Sequence, residues 1–244
     1  MNYIEQEKAT GWDFSYLTNT GRMAESPLPW NYFVTVCRHL SPGNTILDLG
    51  TGGGELLSLL PDKDQLHIYA TEGYEPNVPV AEARLRTFGA TLVADYSDDE
   101  LPFEDNYFDV IIDRHESYNL TEIYRVLKPG GFFITQQVDG RSDLNIADVI
   151  LAKGNKEYLH WDLSYALREF ADTAFHIRMQ QEDNGFTRFY DTQALLFYIK
   201  SMPYVFEDYD QFDFPRISAL LNDYFATHGY LDIRKDRFII VAQK

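Results

Sequence analysis

Short apolar runs recur along the first half of the chain, with polar and turn-forming residues between them. Residues 45–49, 66–71, 91–94, 108–113 and 132–138 are rich in Ile, Val, Leu and Phe, which predicts buried strands. Helical patterning lies between them, near 54–60, 77–88 and 120–127. The second helix is predicted to stop at Gly89. The third follows Asn119, a predicted N-cap, with Glu122 at capping-box spacing. Such alternation predicts a parallel sheet with helices on both faces, which binds ligands beyond the carboxyl ends of its strands.

The flanks break this rhythm. Residues 1–43 read as helical and aromatic, with Trp12, Phe14, Tyr16 and Trp30, interrupted by Pro27 and Pro29. Beyond residue 140 the pattern predicts an amphipathic helix over 163–175 and a strand near 175–182. Helices over 192–201 and 216–228 then flank an acidic, aromatic stretch, and 238–242 reads as a final strand.

Composition narrows the picture. A length of 244 residues fits one elaborated domain, and 45% apolar residues suffice for a sizeable core. The single cysteine, Cys37, excludes internal disulfides, and residues 1–8 are too charged for a signal peptide. No apolar run approaches the roughly 18 residues of a membrane span. These features predict a cytoplasmic chain with no membrane partner. The net charge of -17 argues against a nucleic-acid partner, because phosphate contacts need clustered Lys and Arg.

The chemistry concentrates in Ile46-Leu47-Asp48-Leu49-Gly50-Thr51-Gly52-Gly53-Gly54-Glu55, an apolar strand running into a glycine-rich turn and a helix. Glycines there can take positive φ and bring backbone close to a nucleotide-like ligand. A phosphate-cradling loop ending in Gly-Lys-Ser/Thr is excluded, since no lysine precedes Lys63. A dinucleotide loop needs a third small residue where this chain has Glu55, an anion at the position of a pyrophosphate. A cofactor with a ribose and a sulfonium but no phosphate tolerates that residue. A second acid, Glu72, follows the next strand. The histidines show no metal-ligand spacing, so no metal is expected.

Taken together, these segments resemble the class I S-adenosylmethionine-dependent methyltransferases. Residues 46–54 are similar to the family's first motif, Ala70-Thr71-Glu72-Gly73 to its second and Val93-Ala94-Asp95 to its third. Residues 101–111 resemble its L-P-F-x-D-x-x-F-D-V-V stretch, and Arg125-Val126-Leu127-Lys128-Pro129-Gly130-Gly131 its R-V-L-K-P-G-G. The resemblance implies a Rossmann-like α/β fold: a mostly parallel seven-stranded sheet with helices on both faces and an antiparallel last strand. It divides the chain into an N-terminal cap (1–43), a cofactor-binding core (44–183), a helical insertion (184–236) and a final strand (237–244). It places S-adenosylmethionine against Asp48, Gly50, Thr51, Gly52 and Gly54, then Glu72 and Gly73, Asp95 and Tyr96, and Arg114. Glu72 would hold the ribose hydroxyls and Asp95 the adenine amino group.

The activity implied is methyl transfer (EC 2.1.1.-) to a small-molecule oxygen or nitrogen. Three readings stay open beside it: an RNA methyltransferase, a non-catalytic protein of the same fold that binds the cofactor, and a nicotinamide-dependent oxidoreductase, which Glu55 opposes. In-line attack on a sulfonium methyl needs mainly proximity and alignment, with a base where the nucleophile carries a proton. His115, just after the fourth core strand, is the candidate base, with Glu116 and Tyr118 as alternatives. Trp12, Tyr16, His115, Glu116 and Phe189 are expected to contact the acceptor. The insertion is expected to leave and rejoin the sheet through hinges at Gly185 and Gly229.

Overall fold

The computed structural model describes residues 14–94 and 96–244. In chain order it forms α1 (Ser15–Asn19), β1 (Met23–Glu25), α2 (Tyr32–Cys37), β2 (Thr45–Leu49), α3 (Glu55–Leu59), β3 (His67–Thr71), α4 (Val78–Leu85) and β4 (Thr91–Val93). There follow β5 (Phe108–Arg114), α5 (Leu120–Val126), β6 (Leu127–Val138), α6 (Asn145–Ile150), α7 (Leu163–Ala171), β7 (His176–Phe189), α8 (Thr192–Ser201), α9 (Phe214–His228) and β8 (Leu231–Gln243). These elements belong to two compact units.

The sheet unit comprises Pro29–Gln137, Asp162–Glu182 and Phe238–Lys244. Its strands lie in the order β7-β8-β6-β5-β2-β3-β4. The pairs β2/β3, β2/β5, β3/β4 and β5/β6 are parallel, and the last strand runs antiparallel to its neighbour. The predicted seven strands and their sense are present. All five residues of β2 are buried, as expected for a central strand covered on both faces. On one face Ile46, Ile68, Val110, Ile112 and Ile134 pack against Leu57 of α3, Leu85 of α4 and Val36 of α2. Elsewhere in the unit Phe133 stacks on Phe170 of α7, with ring centroids 6.2 Å apart, and meets Tyr118 edge-on.

Local chemistry explains the helix starts. Asn31 caps α2 by accepting from Val34 N, and Asn119 caps α5 by accepting from Thr121 N and Glu122 N. The predicted capping box does not close. The Glu122 carboxylate instead accepts from Leu101 N at 2.9 Å and pairs with Arg125, which spends it on a tertiary contact.

The helical unit comprises the described part of Met1–Leu28 together with Val138–Trp161 and Asp183–Arg237. β7 and β8 continue through it and β1 joins antiparallel to β7, with Met23 opposite Phe189. Ile146 and Ile150 of α6, Leu195 and Ile199 of α8, and Ile217 and Leu221 of α9 form its core with Phe189 and Ile233. Asp191 and Asp213 cap α8 and α9, and Gly229 closes α9 at φ +79°. The hairpin strands are longer than the apolar pattern predicts: β7 runs on through Gly185, and β8 starts at Leu231. Gly185 is therefore a strand residue and no hinge. Its missing Cβ leaves room for Ser26 Oγ, which would stand only 2.4 Å away. Alternating charged residues such as Arg188 and Asp232, ion-paired at 2.6 Å, disguise these extensions as polar sequence.

Candidate active site

In the sheet unit the strand order reverses between β2 and β5, the switch point beyond which doubly wound sheets bind ligands. Four strand ends supply the site there. After β2 the chain turns through Gly50, Gly52 and Gly54 at φ +58°, +62° and +77° and enters α3. Thr71, at the end of β3, pins this turn: its Oγ1 accepts from Gly50 N at 3.1 Å and its carbonyl from Thr51 N at 2.8 Å. Gly50 cannot be replaced without cost, because an added Cβ would fall 2.3–2.8 Å from three Glu116 side-chain atoms.

Glu55 opens α3 as its sequence position requires, but its charge is not free to repel. Arg84 of α4 forms an ion pair with it and also donates to the Gly53 carbonyl. The Arg84 guanidinium offsets part of the charge that Glu55 sets against a pyrophosphate, and the bulk of Glu55 remains.

Asp48 is buried at the end of β2, where its Oδ2 accepts from Thr51 Oγ1 at 2.7 Å. Burial pushes its carboxyl up to about 7, against the lowering pull of Thr51 and the Arg114 charge. A raised value means that Asp48 favours folding fully below about pH 4, and that this contribution is lost as pH rises through about 7. Asp48→Asn keeps an acceptor for Thr51 and removes that titration. Across this range the stability difference between variant and parent should move in the variant's favour by on the order of 2–4 kcal/mol. Chemical denaturation of both at several pH values checks it; parallel stability curves would overturn it.

Glu72 follows β3 and is buried, with Oε1 accepting from Tyr74 N at 2.7 Å. Tyr96 is half-buried nearby; burial raises its hydroxyl to about 12, against the lowering pull of Thr71. The ring of Tyr96 lies 3.7 Å from where a Gly73 Cβ would stand, so this glycine tolerates a methyl group from the protein's side. Asp95 lies outside the described residues.

Arg114 ends β5 and His115 follows it, both exposed, and Glu116 comes next. His115 takes φ +68°, a left-handed conformation rare for a residue with a Cβ. Its N–H donates to the Gln136 carbonyl at 2.9 Å. The next peptide is held at both ends: Glu116 N donates to Asp113 Oδ1 at 3.2 Å, and Gln137 Nε2 donates to the Glu116 carbonyl at 2.9 Å. Gln137 also donates to Asp113 Oδ1 at 3.1 Å. Complete burial pushes Asp113 well above the usual carboxylate range, and its Oδ2 has no hydrogen-bond partner among the described residues. Burial raises Glu116 as well, reinforced by Asp98 and Glu72 and opposed by Ser117.

Trp12 lies outside the described residues. Tyr16 belongs to the helical unit, where Arg22 Nη1 lies 3.5 Å from its hydroxyl. Phe189 corrects its expected role. It is wholly buried in the helical unit's core, 5.0 Å from the ring of Tyr198, and presents no surface to an acceptor. Among the described residues no group of three or more His, Cys, Asp or Glu side chains could hold a metal ion. No helix among them is long and apolar enough to cross a membrane.

Residues 47–135, from β2 to within β6, match the family model described as a methyltransferase domain. The match supports the resemblance of this stretch to the class I S-adenosylmethionine-dependent methyltransferases. Within 114 residues it is 35% identical to the ubiquinone/menaquinone biosynthesis C-methyltransferase of Vibrio parahaemolyticus. That stretch is 42% of this chain and 44% of the relative, so the chain spans less than half the length of the curated relative it matches. The fold is shared more widely. The YcgJ protein from Bacillus subtilis superposes with a TM-score of 0.56 at 16% identity, over 87% of this chain and 97% of that one. The [4+2]-cyclase SpnF gives 0.55 at 18% identity, over 87% and 79%.

The sheet unit holds several residues to which the sequence reading gave no role of their own: Trp30, Thr71, Arg84, Asp113, Gln136 and Gln137. Asp113 and the two glutamines had a signal, since each puts a polar group at the end of an otherwise apolar strand. Thr71 and Arg84 had none, because their partners are set by tertiary packing.

Proposed function

We propose that this chain transfers the methyl group of S-adenosylmethionine to a small-molecule acceptor. One observation carries the reading. The glycine turn after β2, Asp48 and Glu72 converge at the switch point of the sheet, inside the stretch matched by the methyltransferase model. Asp48, Gly50, Thr51, Gly52, Gly54, Glu72, Gly73, Tyr96 and Arg114 are the proposed cofactor residues. The Vibrio relative is named for methylation at carbon, which adds carbon to oxygen and nitrogen as the acceptor atom. The net charge of -17 supports a small acceptor over RNA. SpnF is a reminder that a shared fold does not fix the reaction.

Calorimetry with S-adenosylmethionine, S-adenosylhomocysteine and NAD separates the cofactor classes. Heat with both sulfur compounds and none with NAD is expected; the reverse would sink the reading. Labelled methyl groups should then pass to a phenolic or quinone-precursor fraction of a metabolite extract and not to RNA. Transfer to RNA, or salt-sensitive RNA binding at micromolar affinity, would favour the nucleic-acid alternative.

A further inference from the structure

His115 follows β5 at the carboxyl end of the sheet, and two side chains of the sheet unit determine which of its nitrogens carries the proton. The Trp30 indole N–H donates to Gln136 Oε1 at 2.7 Å. An indole nitrogen can only donate, so this contact fixes the Gln136 amide with its oxygen toward Trp30. The amide nitrogen is thereby turned to His115, where Nε2 of the glutamine lies 3.2 Å from Nε2 of the imidazole. An amide NH2 can only donate. The His115 nitrogen facing it must accept, and the ring's proton must sit on Nδ1.

We infer that Trp30 and Gln136 hold His115 as the neutral tautomer protonated at Nδ1, with Nε2 engaged by the Gln136 amide, so that it is not the general base of the site. Gln136 is buried, so its amide cannot exchange these partners for water. Protonating Nε2 would set an N–H against an N–H. The backbone supports the same function: His115 is kept in its left-handed conformation by Gln136 O, and the following peptide by Asp113 and Gln137. A turn secured at this many points orients a ring whose protonation state is also fixed.

The tautomer stands independently of the proposed activity; its consequence for the acceptor rests on that reading. A ring with its proton on Nδ1 and Nε2 held by Gln136 does not take a proton from the acceptor, which suits an acceptor oxygen that is already anionic, such as a phenolate or enolate. Such a nucleophile attacks the sulfonium methyl with its own electron pair. The methyl–sulfur pair stays on the departing thioether, and His115 takes no proton. Trp30 and Gln136 are positioning residues in this scheme.

Long-range 1H–15N spectra of the full-length chain near neutral pH test the inference directly. Nε2 of His115, assigned by its cross-peaks to both ring protons, is expected at the shift of an unprotonated nitrogen, and Nδ1 at that of a protonated one. Gln136→Glu replaces the donor with an acceptor and should move the proton to Nε2. Trp30→Phe frees the amide to rotate and should give the same change or a mixture of tautomers. A parent spectrum with the proton on Nε2 would overturn the inference, as would a folded Gln136→Glu variant with the parent's tautomer. S-adenosylhomocysteine titrations on the same samples report separately on the cofactor reading, which can fail while the tautomer stands.

Discussion

Gly50→Ala is expected to weaken S-adenosylmethionine binding by about 2–4 kcal/mol, roughly 30- to 1,000-fold, in a chain that still folds. Two costs combine. A residue with a Cβ at φ +58° pays about 1–2 kcal/mol for the left-handed conformation. The new methyl group must also displace Glu116, whose Oε2, Cγ and Cβ would lie within 2.8 Å of it. Moving Glu116 disturbs the clamped peptide between β5 and α5, so the damage reaches both sides of the switch point. Gly52→Ala is the control. It has a similar φ, +62°, but its Cβ would meet only Glu55 Oε2, at 4.0 Å. In the cofactor-free chain it should lose only the backbone share, about 1–2 kcal/mol. Calorimetry beside circular dichroism checks both. A folded Gly50→Ala chain that binds with the parent's affinity would refute the placement of the cofactor at this turn.

The second large effect is expected at Glu72. Its carboxylate is buried, and one oxygen already holds Tyr74 N, leaving the other for a ribose hydroxyl. Charge-assisted hydrogen bonds of this kind contribute about 1.5–3 kcal/mol, so Glu72→Ala should weaken binding roughly 10- to 150-fold. Glu72→Gln keeps a carbonyl for one donor and should lose less. Alanine also releases Tyr74 N, so thermal stability has to be measured alongside affinity. Normal cofactor affinity in a folded Glu72→Ala chain would remove Glu72 from the ribose site.

The sheet unit was largely legible in the sequence, because buried parallel strands must be short, apolar and separated by helices. β2 was predicted over 45–49 and spans Thr45–Leu49; β5 was predicted over 108–113 and spans Phe108–Arg114. The helical unit was less so. β1 has three residues, with only Met23 buried, too short for periodicity to register. The outer parts of β7 and β8 carry ion pairs in place of apolar alternation. In the site, the glycine turn and the acids after β2 and β3 could be found because their chemistry is tied to local spacing. The Trp30–Gln136–His115 chain joins residues 106 and 21 positions apart, and no local pattern records such contacts. For that reason the sequence offers His115 as a base, and only the structure brings in the Gln136 amide that meets its Nε2.

The strand order has a consequence for biosynthesis. β8 lies between β7 and β6, although it is translated after both. Until residues 238–243 leave the ribosome, β6 keeps an open edge and β7 has no neighbour in the sheet unit. An unpaired edge on an apolar strand invites pairing with other chains. The nascent polypeptide thus passes through an aggregation-prone interval that ends only when β8 is inserted. Ribosome-bound chains halted before residue 231 should recruit holdase chaperones more strongly than chains released after β8 is complete.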